Sequence, residues 1–312
     1  METHCLSERD FAEFFGIQQE DLPEECRDEI ASNDFKYQLL EPDESNQMVL
    51  HILREINSGR FSISNERRRT QWDGGWQENF DEFIKTKEIA ALDPKYYRGS
   101  EYIRLRKQYA KCVSKKMDYA FFKVLRMWIL LHFLKDYSNI YEFGCGPAHN
   151  LVVFGDLYPE KNLYGLDWAE SSIRIIKELK RNYHYNIEGF NFDFFSPDRQ
   201  IDIQPNSVFV TFGGLEQIGT KYEAFIQFIL EKRPDRVVNV EPIIDLYDEN
   251  SLIDYLAILY HQKRNYLSGY YPALVDLARK GEIRIIKCQR IAFGGLYHDG
   301  WSALAYDISE KK

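Results

Sequence analysis

The 312-residue chain carries 49 acidic and 40 basic residues, and its formal net charge is −9. Residues 1–50 hold 14 acids and 3 bases, so the excess negative charge is N-terminal and the remainder is close to neutral. Hydrophobic residues make up 44% and aromatic residues 15%, which excludes an intrinsically disordered chain. No stripe of Lys and Arg of the kind that follows a phosphate backbone is present, which argues against a nucleic-acid substrate.

The cysteines, the N-terminal residues and the apolar runs indicate the cellular compartment of the protein. The five cysteines are scattered and odd in number, and they form no C-x-x-C or Cys/His cluster. They predict neither a disulfide framework nor a metal site, and they fit a reducing compartment. The start, METHCLSERDF, lacks the basic and apolar regions of a signal peptide. The apolar run 127–134 is too short and too closely flanked by charge to span a bilayer. A cytoplasmic protein without a membrane segment is expected.

Residues 1–66 are predicted to form an acidic, helical N-terminal extension. Ser7 followed by Asp10 has the spacing of a helix capping box, and Pro23 suits the start of a second helix. Apolar residues at helical spacing over 49–56 indicate a further helix. The extension is either solvated surface or an element for homodimerisation or partner docking, and the sequence does not choose between them.

Residues 67–138 are predicted to form a helical lid or cap region. Its segment 67–79, RRRTQWDGGWQEN, places three arginines before two tryptophans around a Gly-Gly turn. A mobile lid would use Trp72 or Trp76 to exclude water and an arginine to bind a carboxylate or phosphate. A packed surface turn is the alternative. Residues 101–135 are predicted to form one long helix.

The stretch 139–151, NIYEFGCGPAHNL, indicates a buried strand, a tight turn and a helix. Gly144 and Gly146 allow positive φ and a close approach of the backbone, and the following helix offers unpaired N–H groups. Glu142 stands two positions before the first glycine, and Ala148 stands at the third motif position. Such a corner suits a nucleotide-like ligand. A glycine-rich turn without a ligand is the alternative.

A second acid follows at the end of the next apolar run, residues 162–166. Asp167 stands 25 positions after Glu142, near the spacing at which an acid holds a ribose hydroxyl pair. Asp167 and Glu170 would also fit a helix cap. With the E-x-G-x-G-x-A pattern, this arrangement resembles motif I of class I S-adenosylmethionine (SAM)-dependent methyltransferases rather than the G-x-G-x-x-G of dinucleotide folds. The resemblance covers residues 139–312.

The resemblance implies an α/β, Rossmann-like class I methyltransferase fold. Its sheet would have seven strands, mostly parallel, with an antiparallel last strand, and residues 139–312 would form the SAM-binding domain. A helical insertion at 243–281 would cover the substrate. The predicted fourth to seventh strands are residues 207–212, 236–240, 282–288 and 302–306.

The resemblance also implies roles for individual residues in SAM binding. It assigns Asp167 to the ribose, Trp168 to the adenine face and Asp193 to the adenine amino group. Asp193 has an alternative role in an Asx turn before Ser196. The other expected cofactor contacts are Glu142, Gly144, Cys145, Gly146, Asn150, Phe192, Phe194, Thr211 and Gly213.

Methyl transfer from a sulfonium is an in-line displacement, so the protein mainly positions the two reactants and excludes water. A base is needed only when the nucleophile must lose a proton, and the candidates are Glu216, Glu241 and His298. Each residue also has a purely structural explanation. Glu216 would start a helix, Glu241 would end a strand and bind backbone amides, and His298 would be an ordinary turn residue. The expected substrate-binding residues are Trp72, Trp76, Tyr270, Tyr271 and Tyr297.

These features predict an enzyme that methylates an O or N nucleophile of a small polar acceptor. The WQEN and EFGCG segments favour bacterial surface-glycan or specialised-metabolite biosynthesis. The segment after the fourth strand lacks an N-P-P-Y motif, which counts against DNA adenine and glutamine-type substrates. Two alternatives stay open: a protein or RNA methyltransferase, which would need a basic groove, and a catalytically silent SAM-binding regulatory or scaffold subunit.

Overall fold

The computed structural model describes residues 2–65, 68–95 and 99–309 of the chain. Eleven strands form one mixed sheet in this part of the chain. The strands are β1 (His4–Cys5), β2 (Lys36–Leu39), β3 (Tyr102–Leu105), β4 (Gln108–Cys112), β5 (Asn139–Phe143), β6 (Asn162–Asp167), β7 (Ile187–Asn191), β8 (Ser207–Phe212), β9 (Arg236–Glu241), β10 (Ile283–Gly294) and β11 (Asp299–Ile308). The helices are α1 (Glu8–Phe15), α2 (Glu24–Ala31), α3 (Pro42–Asn57), α4 (Arg69–Thr86), α5 (Met117–Ile129), α6 (His149–Leu157), α7 (Glu170–Asn182), α8 (Glu223–Lys232), α9 (Leu252–Arg264) and α10 (Tyr270–Arg279). No helix in the described ranges is long and apolar enough to cross a membrane.

The centre of the sheet is parallel and buried on both faces. β5 pairs in parallel with β6 and with β8. Successive residues of β5 point to opposite faces, and Ile140 and Tyr141 accordingly belong to two different buried clusters. Residues of α6 and α7 complete the first cluster, and residues of α8 and α10 complete the second. The apolar run of β5 is therefore continuous because helices cover both of its faces.

The strand order agrees with the α/β fold predicted from the sequence. Counted from β5, the last seven strands lie in the order 3-2-1-4-5-7-6, and β11 is antiparallel to both of its neighbours. Residues 139–312 contribute these seven strands, but a seven-stranded sheet is not confirmed, because β3, β4, β2 and β1 extend the same sheet beyond β10.

The single long helix predicted for residues 101–135 is wrong. β3 and β4 pair as an antiparallel hairpin, and α5 begins only at Met117. Arg106 and Lys107 form the tight turn with φ of 48° and 62°, the left-handed backbone that suits a two-residue hairpin loop. The apolar residues at helical spacing that led to the prediction begin at Tyr119. The residues before Tyr119 show no such pattern.

The N-terminal segment shares a core with the rest of the chain. Ser7 and Asp10 form the predicted capping box at the start of α1. Phe15 of α1 stacks on Trp128 of α5 with ring centroids 4.5 Å apart. β1 and β2 join the sheet, so residues 2–65 are not wholly helical.

The tryptophan segment forms a helix and not the predicted turn. α4 runs through Gly74 and Gly75 without a break. Asn79 and Phe83, four residues apart, are buried on one side of this helix. Their packing outweighs the low helix propensity of the two glycines. Arg67, the first of the three arginines in the predicted lid, lies outside the described residues.

Candidate functional site

The carboxyl ends of β5, β6, β8 and β9 meet at one edge of the sheet, and the strand order reverses between β5 and β8. Open α/β sheets bind ligands at such a switch point. A cavity of about 540 Å³ lies there, lined by the turn after β5, by α4, by the end of α9 and by the β10–β11 turn. The predicted site residues that line the cavity are Trp72, Trp76, Glu142, Gly144, Cys145, Gly146, Asn150, Asp167, Trp168, Phe192, Phe194, Gly213, Glu216 and His298.

The turn after β5 depends on left-handed backbone conformations. Gly144 and Gly146 have φ of 71° and 53°. A Cβ on Gly144 would lie 3.0 Å from the Cα of Gly214, and a Cβ on Gly146 would lie 3.0 Å from the ring of Trp76. Ala148 has a φ of 61°, so the alanine takes up the conformation that glycine favours at this position.

Asp167 connects β6 to this turn. Its carboxylate accepts hydrogen bonds from the backbone N–H of Gly146 and of Ala169, both at 2.8 Å. Burial raises the pKa of Asp167 to about 6, and the backbone N–H donors oppose that rise. Asp167 therefore holds the turn and supports the start of α7 while also lining the cavity. The two roles weighed for this residue are compatible with each other.

A group of buried polar atoms behind the turn has no hydrogen-bond partner in the part of the chain that the structure describes. Nδ2 of Asn150 donates a hydrogen bond to Oε1 of Glu142 at 2.7 Å. Oε2 of Glu142, both ring nitrogens of His149 and Nε of Arg126 are buried and find no hydrogen-bond partner among the described residues. Burial raises the pKa of Glu142 to about 8 and lowers the pKa of His149. A buried polar group without a hydrogen-bond partner lowers the stability of the folded state by about 1–3 kcal/mol. A polar ligand that pairs with these atoms would remove that cost, so this cluster of side chains is suited to bind one.

α4 lies across the turn and is fixed to α7. Trp72 and Trp76 stack on each other with ring centroids 5.5 Å apart, and both line the cavity. The carboxylate of Asp73 accepts the backbone N–H of Ser171 at 3.0 Å, which caps the first turn of α7. The two tryptophans thus cover the glycine turn, and movement of α4 as a lid stays a prediction.

Glu241, a predicted catalytic residue, lies at the end of β9 and does not line the cavity. Its carboxylate accepts the backbone N–H of Gly214 at 3.1 Å and of Glu216 at 3.0 Å. Burial raises its pKa to about 8, opposed by a hydrogen bond with Thr211. Glu241 therefore positions the turn after β8, and its side chain is fully buried.

Glu216 and His298, the other two candidate bases, both line the cavity. Burial raises the pKa of Glu216 to about 7, although the charge of Arg264 lowers it. Nδ1 of His298 lies 2.9 Å from Nε2 of His261. Burial, together with the charges of Arg104 and Arg264, lowers the pKa of His298 to about 3. The imidazole is therefore neutral at physiological pH, and the carboxyl group titrates near neutrality.

The tyrosines predicted to bind the acceptor lie elsewhere. Tyr270 is fully buried, and its hydroxyl is hydrogen-bonded inside the core. Tyr271 packs against the same core cluster. Tyr297 stacks on Tyr260 with ring centroids 4.9 Å apart and lies outside the cavity wall. Tyr260 and Tyr266 line the cavity in their place.

Two residues predicted to contact the cofactor, Asp193 and Thr211, do not line the cavity. Oδ1 of Asp193 accepts the backbone N–H of Phe195 at 2.9 Å, which is the Asx turn considered as the alternative. Thr211 is buried, and its Oγ1 accepts a hydrogen bond from Asn239 at 3.1 Å.

Several cavity residues were not singled out individually, although Tyr260 and Arg264 lie in the predicted substrate-covering insertion 243–281 and Arg68 is one of the three arginines of the predicted lid. Tyr260 and Arg264 stand four residues apart on α9, so their helical spacing could have placed them on one face. Arg68 and Gln217 meet across 149 positions of sequence, where Nη1 of the arginine donates to Oε1 of the glutamine at 2.6 Å. No local sequence pattern predicts a contact between two residues so far apart in the chain.

The sequence matches no protein-family model and no curated protein. Among solved structures, it is similar in fold to the [4+2]-cyclase SpnF, with 10% identity and a TM-score of 0.46 over 62% of this chain and 82% of that chain. Human N-acetylserotonin methyltransferase in complex with SAM has 13% identity and a TM-score of 0.42 over 85% of this chain and 68% of that chain. PigF with SAH has 13% identity and a TM-score of 0.45 over 84% of this chain and 69% of that chain. At these scores the likenesses carry no argument about chemistry, which rests on the geometry of the cavity.

Proposed function

We propose that the chain is a SAM-dependent methyltransferase that acts on an O or N nucleophile of a small polar acceptor. The observation that carries the proposal is the glycine turn after β5, which Asp167 holds through the N–H of Gly146 at the switch point of the sheet. The turn shares one cavity with two titratable groups, Glu216 and His298. A cofactor and an acceptor would therefore have neighbouring places in the site.

The residues around the turn fit SAM. Its ammonium and carboxylate groups would meet Oε2 of Glu142 and the ring nitrogens of His149, which are unpaired among the described residues. Following the family resemblance, Asp167 would hold the ribose hydroxyls, and the rings of Trp168 and Phe194 would lie beside the adenine. Bound SAM would supply a methyl group on a positively charged sulfonium.

The chain's own residues would orient the acceptor, exclude water and take up a proton. Trp72 and Trp76 form an apolar wall next to the turn. An acceptor O–H that loses its proton needs a base in the cavity. Glu216 is the better candidate because its pKa is about 7, and the neutral His298 is the second.

The proposal includes a cytoplasmic role in bacterial surface-glycan or specialised-metabolite biosynthesis, supported by the WQEN and EFGCG segments. A cavity of about 540 Å³ that also holds a cofactor favours a small acceptor. Dimerisation or partner docking through the N-terminal helices gains no support, because Phe11, Phe14 and Phe15 are buried in the chain's own core.

Calorimetric titration with SAM and with S-adenosylhomocysteine (SAH) tests the proposal. We expect roughly micromolar binding to the wild type. Asp167→Ala should weaken it by more than about tenfold, because charge-assisted hydrogen bonds are worth about 1.5–3 kcal/mol. Asp276→Ala is the matched control, since that carboxylate is exposed on α10. No heat with either ligand, or equal binding by Asp167→Ala, would remove the proposal.

A further inference from the structure

Two arginines line the acceptor end of the cavity, and no carboxylate of the described residues pairs with either of them. Arg68 precedes α4, and Arg264 is the last residue of α9. Both are half-buried, and neither forms an ion pair with a described residue. Nη1 of Arg68 donates hydrogen bonds to Ser64 at 3.1 Å and to Gln217 at 2.6 Å, which are neutral acceptors. Cationic side chains that leave solvent are normally paired.

Arg264 is the less satisfied of the two. Its Nε is buried and has no hydrogen-bond partner among the described residues. Its guanidinium lies over the ring of Tyr266, 4.8 Å from the centroid, and 5.9 Å from that of Tyr260. Aromatic faces hold a guanidinium plane in place but supply no acceptor for its N–H groups. The guanidinium group of Arg264 is therefore held in place, and it has no anionic acceptor within the described ranges of the chain.

The charges around this end of the cavity leave an excess of positive charge. Among the described cavity residues, Glu216 is the acid whose charge interacts with both arginines, and it forms no ion pair with either of them. His298 and its neighbour His261 are neutral at physiological pH, because burial lowers the pKa of each. Even with Glu216 fully ionised, two cations face one anion among the residues that the structure describes at this end of the cavity.

The walls of this region are aromatic. Arg68 lies over Trp72, with its guanidinium carbon 5.1 Å from the ring centroid. Tyr260 and Tyr266 complete the wall from α9 and the segment that follows it. A planar, apolar ring would find van der Waals partners here, and an acid group on that ring would find the two guanidinium groups.

We propose that the acceptor is a small molecule with an acid group, a carboxylate or a phosphate, bound by Arg68 and Arg264. This inference rests on the proposed function, because it names the acceptor class of the same site. Two guanidinium forks match the oxygens of either acid, and each supplies parallel N–H donors. The acid group anchors the acceptor beside Glu216 and His298.

Calorimetry on the SAH-saturated protein tests the anchor with three aromatic probes. The probes are 4-hydroxybenzoate, its neutral methyl ester and phenyl phosphate. We expect 4-hydroxybenzoate to bind at least about tenfold more tightly than its ester, as one charge-assisted hydrogen bond allows. Phenyl phosphate tells the two acids apart: tighter binding than the benzoate identifies phosphate as the anchor, and weaker binding identifies carboxylate.

Variants connect the preference to the two side chains. Arg264→Gln and Arg68→Gln should each reduce the preference for acid over ester severalfold, and the double variant should abolish it. Arg279→Gln, an exposed arginine on α10, should leave the preference unchanged. Equal binding of acid and ester to the wild type, no binding of either acid, or a preference that survives in the double variant would overturn the inference. These outcomes leave SAH binding intact, whereas absence of SAH binding overturns the proposed function itself.

Discussion

Glu216 and His298 occupy the same cavity, but they would take up a proton over different pH ranges. Burial raises the pKa of Glu216 to about 7 against the opposing charges of Arg264 and Arg68. The pKa of His298 is lowered to about 3 by burial and by nearby arginines. A carboxylate base gains activity as the pH rises through its pKa, whereas a histidine that is already neutral gains none over that range.

We expect the methylation rate of the wild type to rise as the pH passes through about 7, because the deprotonated fraction of Glu216 grows there. Glu216→Gln should remove this step and lower kcat by about 10²- to 10⁴-fold. Single-turnover rates between pH 5 and 9, with saturating SAM and the acceptor found by screening, measure both effects. His298→Asn serves as the comparison and should keep the step. A step that persists in Glu216→Gln would assign the titration to another group.

At the residue scale, the predicted site residues that line one cavity include those that the chain itself brings together. Glu142, Gly144 and Gly146 are neighbours in sequence, and Asp167 follows at the end of the adjacent strand, so spacing and strand pairing place them in one site. Tyr270 was misplaced because a tyrosine-rich segment does not tell which rings face a cavity and which fill the core.

At the scale of elements, α4 carries two glycines where a turn was expected. The backbone φ of Gly74 and Gly75 is not in the left-handed region, and an added Cβ would meet nothing within 4 Å at either position. Glycine in a helix interior costs about 0.5–1 kcal/mol relative to alanine. The pair therefore weakens the helix that covers the glycine turn after β5.

Gly74→Ala should raise the free energy of unfolding by about 0.5–1 kcal/mol, because alanine fits the helix and restricts the unfolded chain. Urea denaturation followed by circular dichroism measures the change. Gly146→Ala is the matched opposite: with a φ of 53° and Trp76 only 3.0 Å from the new Cβ, it should lower both stability and SAH affinity. A loss of stability in Gly74→Ala would mean that the glycines serve a bent state of α4.

At the scale of the whole molecule, a buried ion network joins parts that are distant in sequence. Asp254 on α9 pairs with Arg104 of β3 and with Arg290 of β10, the latter at 2.7 Å. Asp299 pairs with the same two arginines, 2.7 Å from Arg104 and 2.5 Å from Arg290. The side chains of Arg104 and Asp254 are fully buried. Removing one partner of a buried pair leaves uncompensated charge.

Asp254→Asn should lower the free energy of unfolding by about 3–5 kcal/mol, because both arginines lose half of their charge compensation. Burial alone would raise the pKa of Asp254, but hydrogen bonds from Arg290 and the backbone of Asp248, with the charge of Arg104, hold it well below its ordinary value. The contribution of this carboxylate is thus present above about pH 4, its unfolded pKa, and is lost as the pH falls below that value.

Denaturant unfolding of wild type and variant, at pH 7 and again below pH 4, measures this contribution. Asp248→Asn is the matched control, since its side chain is half exposed and should change stability by less than about 0.5 kcal/mol. A difference between wild type and Asp254→Asn that stays constant as the pH falls would contradict the charge argument.

The sequence by itself determined the central α/β sheet and the glycine turn with its acids, because these features arise from local periodicity and from residues on adjacent strands. Only the tertiary structure decided that β1 to β4 extend the same sheet, that Arg68 meets Gln217, and that Tyr260 and Tyr266 line the cavity. Such contacts join segments far apart in the chain, and they form because side chains that share no sequence pattern must pack together to leave water.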